Sequence, residues 1–66
     1  MNQEINRKPK FEIYRDRGKN QDFRWRLVAP NGETIASGEG YTTKKECEEG
    51  IEAVKKHAAV AQVFSV

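Results

Sequence analysis

The chain has too few cysteines and histidines for a disulfide or a metal site. Cys47 is its only cysteine and His57 its only histidine, so an intrachain disulfide is excluded and a zinc-type cluster lacks ligands. A single cysteine without an apolar signal segment at the N-terminus is typical of a reducing compartment, so we expect a cytoplasmic protein. The sequence predicts no metal and no cofactor.

Long apolar runs and an excess of one charge are also absent. No stretch approaches the ~20 apolar residues that cross a bilayer, so we expect no membrane association. Twelve basic and ten acidic residues give a net charge of +2, well below that of strong polyanion binders. With 66 residues, the chain is one domain at most and buries only about 60% of its unfolded surface. Self-association is the remaining source of added stability.

Two strands follow a polar N-terminal segment. Residues 1–9 show no periodicity and are predicted to form a flexible tail, which leaves residues 10–66 as a single domain. Alternation of apolar and polar residues predicts strands at Lys10–Asp16 and Phe23–Ala29. We expect these two strands to form an antiparallel hairpin.

A tight turn leads from the second strand to a third. Asn31-Gly32 is a strong hairpin signal because both residues tolerate a positive φ angle. A strand is predicted over residues 33–37, with Ile35 as its apolar anchor. Gly38 and Gly40 are expected to end this strand and to redirect the chain.

The second half of the chain predicts a capped amphipathic helix. Thr43 and Glu46 have the spacing of a capping box, and we expect a helix over residues 44–58 with its apolar residues in a narrow stripe. The apolar, β-branched residues 60–66 predict a fourth strand, paired at a sheet edge or with another chain.

These elements predict an α+β fold of order β-β-β-α-β, in which one helix covers one face of an antiparallel sheet of three to four strands. The predicted core contains the apolar residues that face each other across that layer: Phe11, Ile13, Phe23, Trp25, Leu27, Ile35, Cys47, Gly50, Ile51 and Val54.

Gly50 stands out because a glycine inside a helix costs ~1 kcal/mol relative to alanine. Its position on the apolar stripe indicates a close approach between the helix and the sheet. We expect the ring of Trp25 to fill the space that Gly50 leaves.

Neither Cys47 nor His57 has the sequence context of a catalytic group. Cys47 lies on the apolar stripe and is interpreted as a small buried side chain, although a thiolate activated by the helix N-terminus is the functional alternative. His57 has no partner at a useful spacing and suits the C-terminal end of the helix dipole. The sequence therefore predicts no catalytic residues and a non-enzymatic protein.

The only basic and aromatic cluster is predicted on the sheet. Tyr14, Arg24 and Arg26 alternate on the face away from the helix, and Arg15 lies near the hairpin end. These residues are candidate contacts with nucleic acid or an acidic protein surface. The simpler interpretation is a solvated face on which the arginines pair with Glu12 or Asp16 across the strands.

Three segments together resemble the YegP family of small bacterial and archaeal proteins. They are FEIYRD, FRWRLVAPNGETIASGEGYTTK and CEEGIEAVKKHA, which cover residues 11–16, 23–44 and 47–58. The resemblance implies three or four antiparallel strands with one helix per unit, and a unit that occurs in some members as a tandem pair. A single copy would then form a homodimer. The apolar residues 60–66 depart from the polar tail usual in that family.

Three functions follow as hypotheses. The first is an uncharacterised non-enzymatic homodimer with a protein-interaction or accessory role, whose protein partner the sequence does not identify. The second is nucleic-acid binding through Tyr14, Arg15, Arg24 and Arg26, similar to the sheet of plant ethylene-response-factor domains, which enters the major groove. The third, an enzyme, lacks a nucleophile with a base.

Overall fold

The computed structural model describes residues 8–18 and 21–66. Three strands form an antiparallel sheet in the order of the sequence, and a helix packs on one face. The α+β class is confirmed, whereas the tail predicted for residues 1–9 falls largely outside the described residues. The elements are β1 (Lys10–Arg15), β2 (Phe23–Val28), β3 (Thr34–Tyr41) and α1 (Lys44–Ala58).

The β1–β2 register places the apolar residues of both strands on the helix face. Phe11 lies opposite Leu27, and Ile13 opposite Trp25. Because successive side chains alternate between faces, these four residues share one side of the sheet. The ring of Phe11 meets the Trp25 indole edge-on, with the ring centroids 5.5 Å apart. These contacts make one face of the hairpin apolar.

The predicted tight turn between β2 and β3 is a three-residue loop, in which the Asn31-Gly32 pair behaves only partly as expected. Ala29 N–H donates to the Glu33 carbonyl, and Gly32 N–H donates to the Ala29 carbonyl, both at 2.8 Å. Gly32 has φ +93°, whereas Asn31 does not have a positive φ. Asn31 instead accepts the Glu33 N–H at its side-chain oxygen, 3.1 Å away. Only one residue of the pair uses its tolerance for positive φ.

Strand β3 continues to Tyr41, so the prediction that Gly38 and Gly40 end it is wrong. The Trp25 indole lies over Gly38, and a Cβ there would come within 2.6 Å of its Cε2 atom. Gly40 adopts φ +88°, and its N–H donates to Asp22 Oδ2 at 2.7 Å. Both glycines shape the strand and allow it to continue.

Ile35 does not lie in the core, which corrects its predicted role as an anchor. In the β2–β3 ladder Leu27 pairs with Ala36 and Val28 with Thr34, so Ile35 falls at a bulge. Its side chain is 60% exposed. A bulge inserts one residue into the alternation, and the periodicity of the sequence does not reveal that insertion.

The helix has the predicted bounds, and Thr43 is its N-cap as predicted. Thr43 Oγ1 accepts the backbone N–H of Glu46 at 3.1 Å, which satisfies one of the free donors of the first turn. Trp25, Cys47 and Ile51 form the buried centre of the fold. The side chains partly buried around them are Phe11, Ile13, Phe23, Leu27, Tyr41 and Val54.

Gly50 lies beneath Tyr41 and not, as predicted, beneath Trp25. A Cβ at Gly50 would lie 2.7 Å from Tyr41 Cζ and 2.9 Å from Cε1. The Tyr41 hydroxyl accepts a hydrogen bond from Trp25 Nε1 at 3.3 Å. The longer β3 explains the difference, because it carries the Tyr41 ring to the helix.

The fourth strand predicted at residues 60–66 does not form within the single chain. After α1, the N–H groups of Val60 and Ala61 donate to the carbonyls of His57 and Ala58, at 3.2 and 3.4 Å. Residues 61–66 then belong to no helix or strand. The segment therefore pairs with neither edge of its own sheet.

Candidate interaction surfaces

The four predicted contact residues lie on different faces of the sheet. The open face, defined as the sheet face away from α1, carries Tyr14 opposite Arg24, and Arg26 opposite Glu12. Arg15 lies opposite Phe23 on the helix face, and its guanidinium carbon is 5.3 Å from the centre of the Phe23 ring. The predicted cluster is therefore divided between two surfaces.

Arg24 is held by three carboxylates at one end of the open face. Its Nε lies 3.1 Å from Asp22 Oδ1, and its two terminal nitrogens lie 3.1 Å from Asp16 Oδ2 and 3.6 Å from Glu39 Oε1. The hydrogen bond with Asp22 and the surrounding negative charge raise the pKa of Arg24 above its ordinary value. This guanidinium is already surrounded by acceptors, so a phosphate would have to displace them.

Asp22 joins this cluster to β3. Partial burial acts to raise the pKa of its carboxyl, but hydrogen bonds from Arg24 and from backbone N–H groups, including that of Gly40, outweigh it. The pKa of Asp22 consequently lies below its usual range. The charged carboxylate therefore links the hairpin end to the bend in β3.

Arg26 is paired as well. Its Nε lies 2.7 Å from Glu12 Oε1, and its guanidinium carbon lies 4.8 Å from the centre of the Tyr14 ring. Lys10 Nζ lies 3.1 Å from the other oxygen of Glu12. The hydrogen bond from Arg26, followed by that from Lys10, lowers the pKa of Glu12. The open face thus balances its arginines with carboxylates.

Val28 alternates with Arg24 and Arg26 along β2 and falls on the open face, yet it is buried. Only 8% of the residue is exposed, although its neighbours on the open face are charged. It helps to line a shallow groove of about 540 Å³, with Lys10, Arg26, Pro30 and Thr34 among the other lining residues. The long side chains of Lys10 and Arg26 flank this groove and shield its apolar residue.

The C-terminal segment, defined as Val60–Val66, exposes large apolar side chains to water. Val63 is 97% exposed and Phe64 is 74% exposed. Val60 and Val66 are exposed too. Adjacent exposed side chains of this size mark interaction sites more often than isolated ones do. The segment is the most apolar exposed stretch of the described chain.

Cys47 lies at the centre of the core and is fully buried. Burial, with a smaller contribution from the charge of Glu48, raises the pKa of its thiol. A thiol with a raised pKa is a poor nucleophile because the thiolate is the reactive form. Within residues 8–18 and 21–66 no group of side chains has the arrangement of a metal site, and no helix there could span a membrane.

Sequence reasoning named two of the carboxylates on the open face and missed two others. Glu12 and Asp16 were expected as partners of the arginines, and they are. Asp22 and Glu39 were not expected. Asp22 precedes Arg24 by two residues, a spacing that places both side chains on the same side of an extended chain, so this partner was detectable. Glu39 depends on the continuation of β3 past Gly38.

Comparison with known proteins assigns the chain to a family. The family described as "Domain of unknown function (DUF1508)" matches residues 19–65. The chain belongs to this family. The predicted resemblance to YegP is confirmed, because the DUF1508 family is the YegP family. A DUF1508 relative from Treponema denticola, named a UPF0339 protein, is 54% identical over 57 residues, which are 86% of this chain and 95% of the relative.

Two further comparisons are informative. A UPF0339 protein of Stutzerimonas stutzeri is 52% identical over 48 residues, which are 73% of this chain but only 41% of that protein. The NMR solution structure of a protein from Haloferax volcanii is 42% identical, has a TM-score of 0.78, and matches 89% of this chain and 97% of that one. The names of these relatives state no reaction.

Proposed function

We propose that the chain is a non-enzymatic homodimeric module of the cytoplasm with a protein-interaction or accessory role. The observation that carries the proposal is the exposed apolar C-terminal segment, in which Val63 is 97% and Phe64 74% exposed. In a single chain this apolar surface faces water. Burial of this surface against a second copy would stabilise the dimer by ~25 cal/mol for each square ångström of apolar area removed from water.

The sheet offers places for such a segment to bind. Strands β1 and β3 are both edge strands in the order β1-β2-β3, so each has one row of unpaired backbone groups. The β3 edge is bent by its register shifts and by Gly40, whereas the six-residue β1 pairs in a regular register. An extended, β-branched segment such as Val60–Val66 can add to a free edge as a further strand.

The small core supports the same proposal. Trp25, Cys47 and Ile51 are the buried centre between the sheet and the helix, which is little apolar volume for an independently stable domain. The Stutzerimonas stutzeri relative extends far beyond the matched segment, which covers only 41% of it. A relative with room for a second unit is consistent with a fold that functions as a pair.

The non-enzymatic part of the proposal is supported by the state of the reactive groups. The Cys47 thiol is fully buried with a raised pKa, and the guanidinium groups of Arg24 and Arg26 are bound by carboxylates. Neither arrangement favours nucleophilic or general-base chemistry.

Light scattering after size-exclusion chromatography, run over a range of concentrations, tests the proposal. We expect wild-type protein with twice the chain mass of 7.6 kDa, and the Phe64→Asp variant to shift to the mass of one chain. Gln62→Glu is the matched control, because it adds one negative charge to the same segment at a polar position, and we expect it to remain dimeric. A wild-type chain that stays monomeric at high micromolar concentration would refute the proposal.

Nucleic-acid binding remains the alternative, and the geometry does not favour it. Arg24 and Arg26 would have to leave Asp22 and Glu12 before they could contact phosphates. A salt-dependent mobility shift of labelled duplex DNA that is lost in an Arg24→Ala, Arg26→Ala double variant would support the alternative.

A further inference from the structure

Asp16 and the two arginines beside it, at the end of β1, make different contacts. Arg15 and Arg17 flank Asp16 in the sequence. The Asp16 carboxylate lies 3.1 Å from Arg24 and accepts the Gly18 N–H at 3.1 Å. Its charge is therefore engaged on the open face by Arg24, whereas Arg15 lies on the helix face.

The other acidic side chains near this end of the sheet turn the same way. Asp22 contacts Arg24 and the Gly40 N–H, and Glu39 also contacts Arg24. In the part of the chain that the structure describes, no carboxylate forms an ion pair with Arg15 or Arg17. Three carboxylates thus surround Arg24, while among the described residues none pairs with Arg15 or Arg17.

These two arginines line a notch of about 210 Å³ together with Gln21. Arg15 is held in place because its guanidinium stacks on the Phe23 ring at 5.3 Å, a favourable cation–π distance. The guanidinium groups are donors only, and the Gln21 amide adds both a donor and an acceptor. The larger groove beside Val28 differs, because both cations that line it, Lys10 and Arg26, are paired with the Glu12 carboxylate.

We propose that the notch of Arg15, Arg17 and Gln21 binds a small phosphate-bearing anion, such as inorganic phosphate, pyrophosphate or a phosphomonoester. The planar fork of a guanidinium group matches two phosphate oxygens at once. A notch of about 210 Å³ suits one or two phosphoryl groups better than a polymer. The notch is open to water, so binding is weak and decreases as salt rises. The proposal does not depend on the dimer.

A titration of isotope-labelled protein with inorganic pyrophosphate at low salt, followed by amide NMR shifts, tests the site. We expect saturating shifts centred on the turn, at Arg15, Arg17, Gly18 and Gln21. A parallel titration with sodium chloride of equal ionic strength serves as the control. Shifts that never saturate, or that chloride reproduces, would refute the site.

Charge-matched variants separate the notch from general electrostatics. Arg15→Gln with Arg17→Gln is expected to weaken pyrophosphate binding about tenfold, the effect of losing two exposed charged contacts. Lys10→Gln with Arg26→Gln removes the same charge from the open face and should leave the dissociation constant nearly unchanged. Equal weakening by both pairs would overturn the proposal.

Two further measurements complete the test. The Arg17→Gln variant alone keeps the contact between Arg15 and Phe23. Its amide spectrum reports whether the fold is intact, and we expect weaker pyrophosphate binding with unchanged signals from the core residues. The second measurement is the affinity for a single-stranded oligonucleotide. Binding about tenfold tighter than that of pyrophosphate, a difference of ~1.4 kcal/mol, would show that the notch contacts a nucleic-acid backbone and would contradict the proposal of a small ligand.

Discussion

Replacement of Gly50 by alanine tests the packing of the helix on the sheet. At an unconstrained site inside a helix this change stabilises a protein by ~1 kcal/mol. Here the added methyl group would lie 2.7 Å from Tyr41 Cζ and 2.9 Å from Cε1, well inside van der Waals contact. The Tyr41 ring must move, or the helix must lift from the sheet.

The balance of these effects is unfavourable. Overpacking costs ~1–3 kcal/mol, and displacement of Tyr41 endangers its hydrogen bond with Trp25, worth ~0.5–1.5 kcal/mol. Set against a gain of ~1 kcal/mol in helix propensity, the net loss is about 2 kcal/mol. A domain of 66 residues has a total stability of only ~3–10 kcal/mol, so this loss is readily measured.

Urea unfolding followed by the fluorescence of Trp25, the only tryptophan, measures the effect at one fixed protein concentration. Ala53→Gly, at an exposed position of the same helix, calibrates the helix propensity and should cost ~1 kcal/mol. In a Tyr41→Ala background the obstruction is gone, so Gly50→Ala should stabilise the protein by ~1 kcal/mol. A Gly50→Ala variant more stable than wild type would refute the proposed contact with Tyr41.

Two further predictions concern the helix cap and the loss of folding stability at low pH. Thr43→Ala should lower the free energy of unfolding by ~1 kcal/mol, measured in urea, whereas Thr42→Ala, beside the cap, should change it by less than ~0.5 kcal/mol. The folded-state pKa values of Asp22 and Glu12 lie below their ordinary values, so their contribution to stability is present at neutral pH and is lost as the pH falls below about 4. Asp22→Asn should flatten this acid loss in a pH series of unfolding curves; a profile parallel to that of wild type would contradict the assignment.

Local patterns were sufficient where the decisive interactions lie close in sequence. The helix over Lys44–Ala58 follows from two local patterns. Thr43 caps the backbone N–H of Glu46, three residues later, and the apolar residues recur at helical spacing. The β1–β2 pairing likewise follows from simple alternation. Ile35 was misplaced because the bulge in β3 depends on how that strand pairs with β2, which no local pattern contains.

The sequence by itself determined the α+β class, the helix with its cap and the apolar face of the first two strands, since these depend on propensity and periodicity. The family followed separately, from the resemblance of three sequence segments to its members. Only the tertiary structure decided that Tyr41 covers Gly50 and that three carboxylates converge on Arg24. The exposure of the C-terminal segment was decided in the same way. The first two depend on contacts between residues distant in the chain, which exist only once the strands are in register and the helix is docked. The third depends on the sheet, which leaves the segment unpaired at both of its edges.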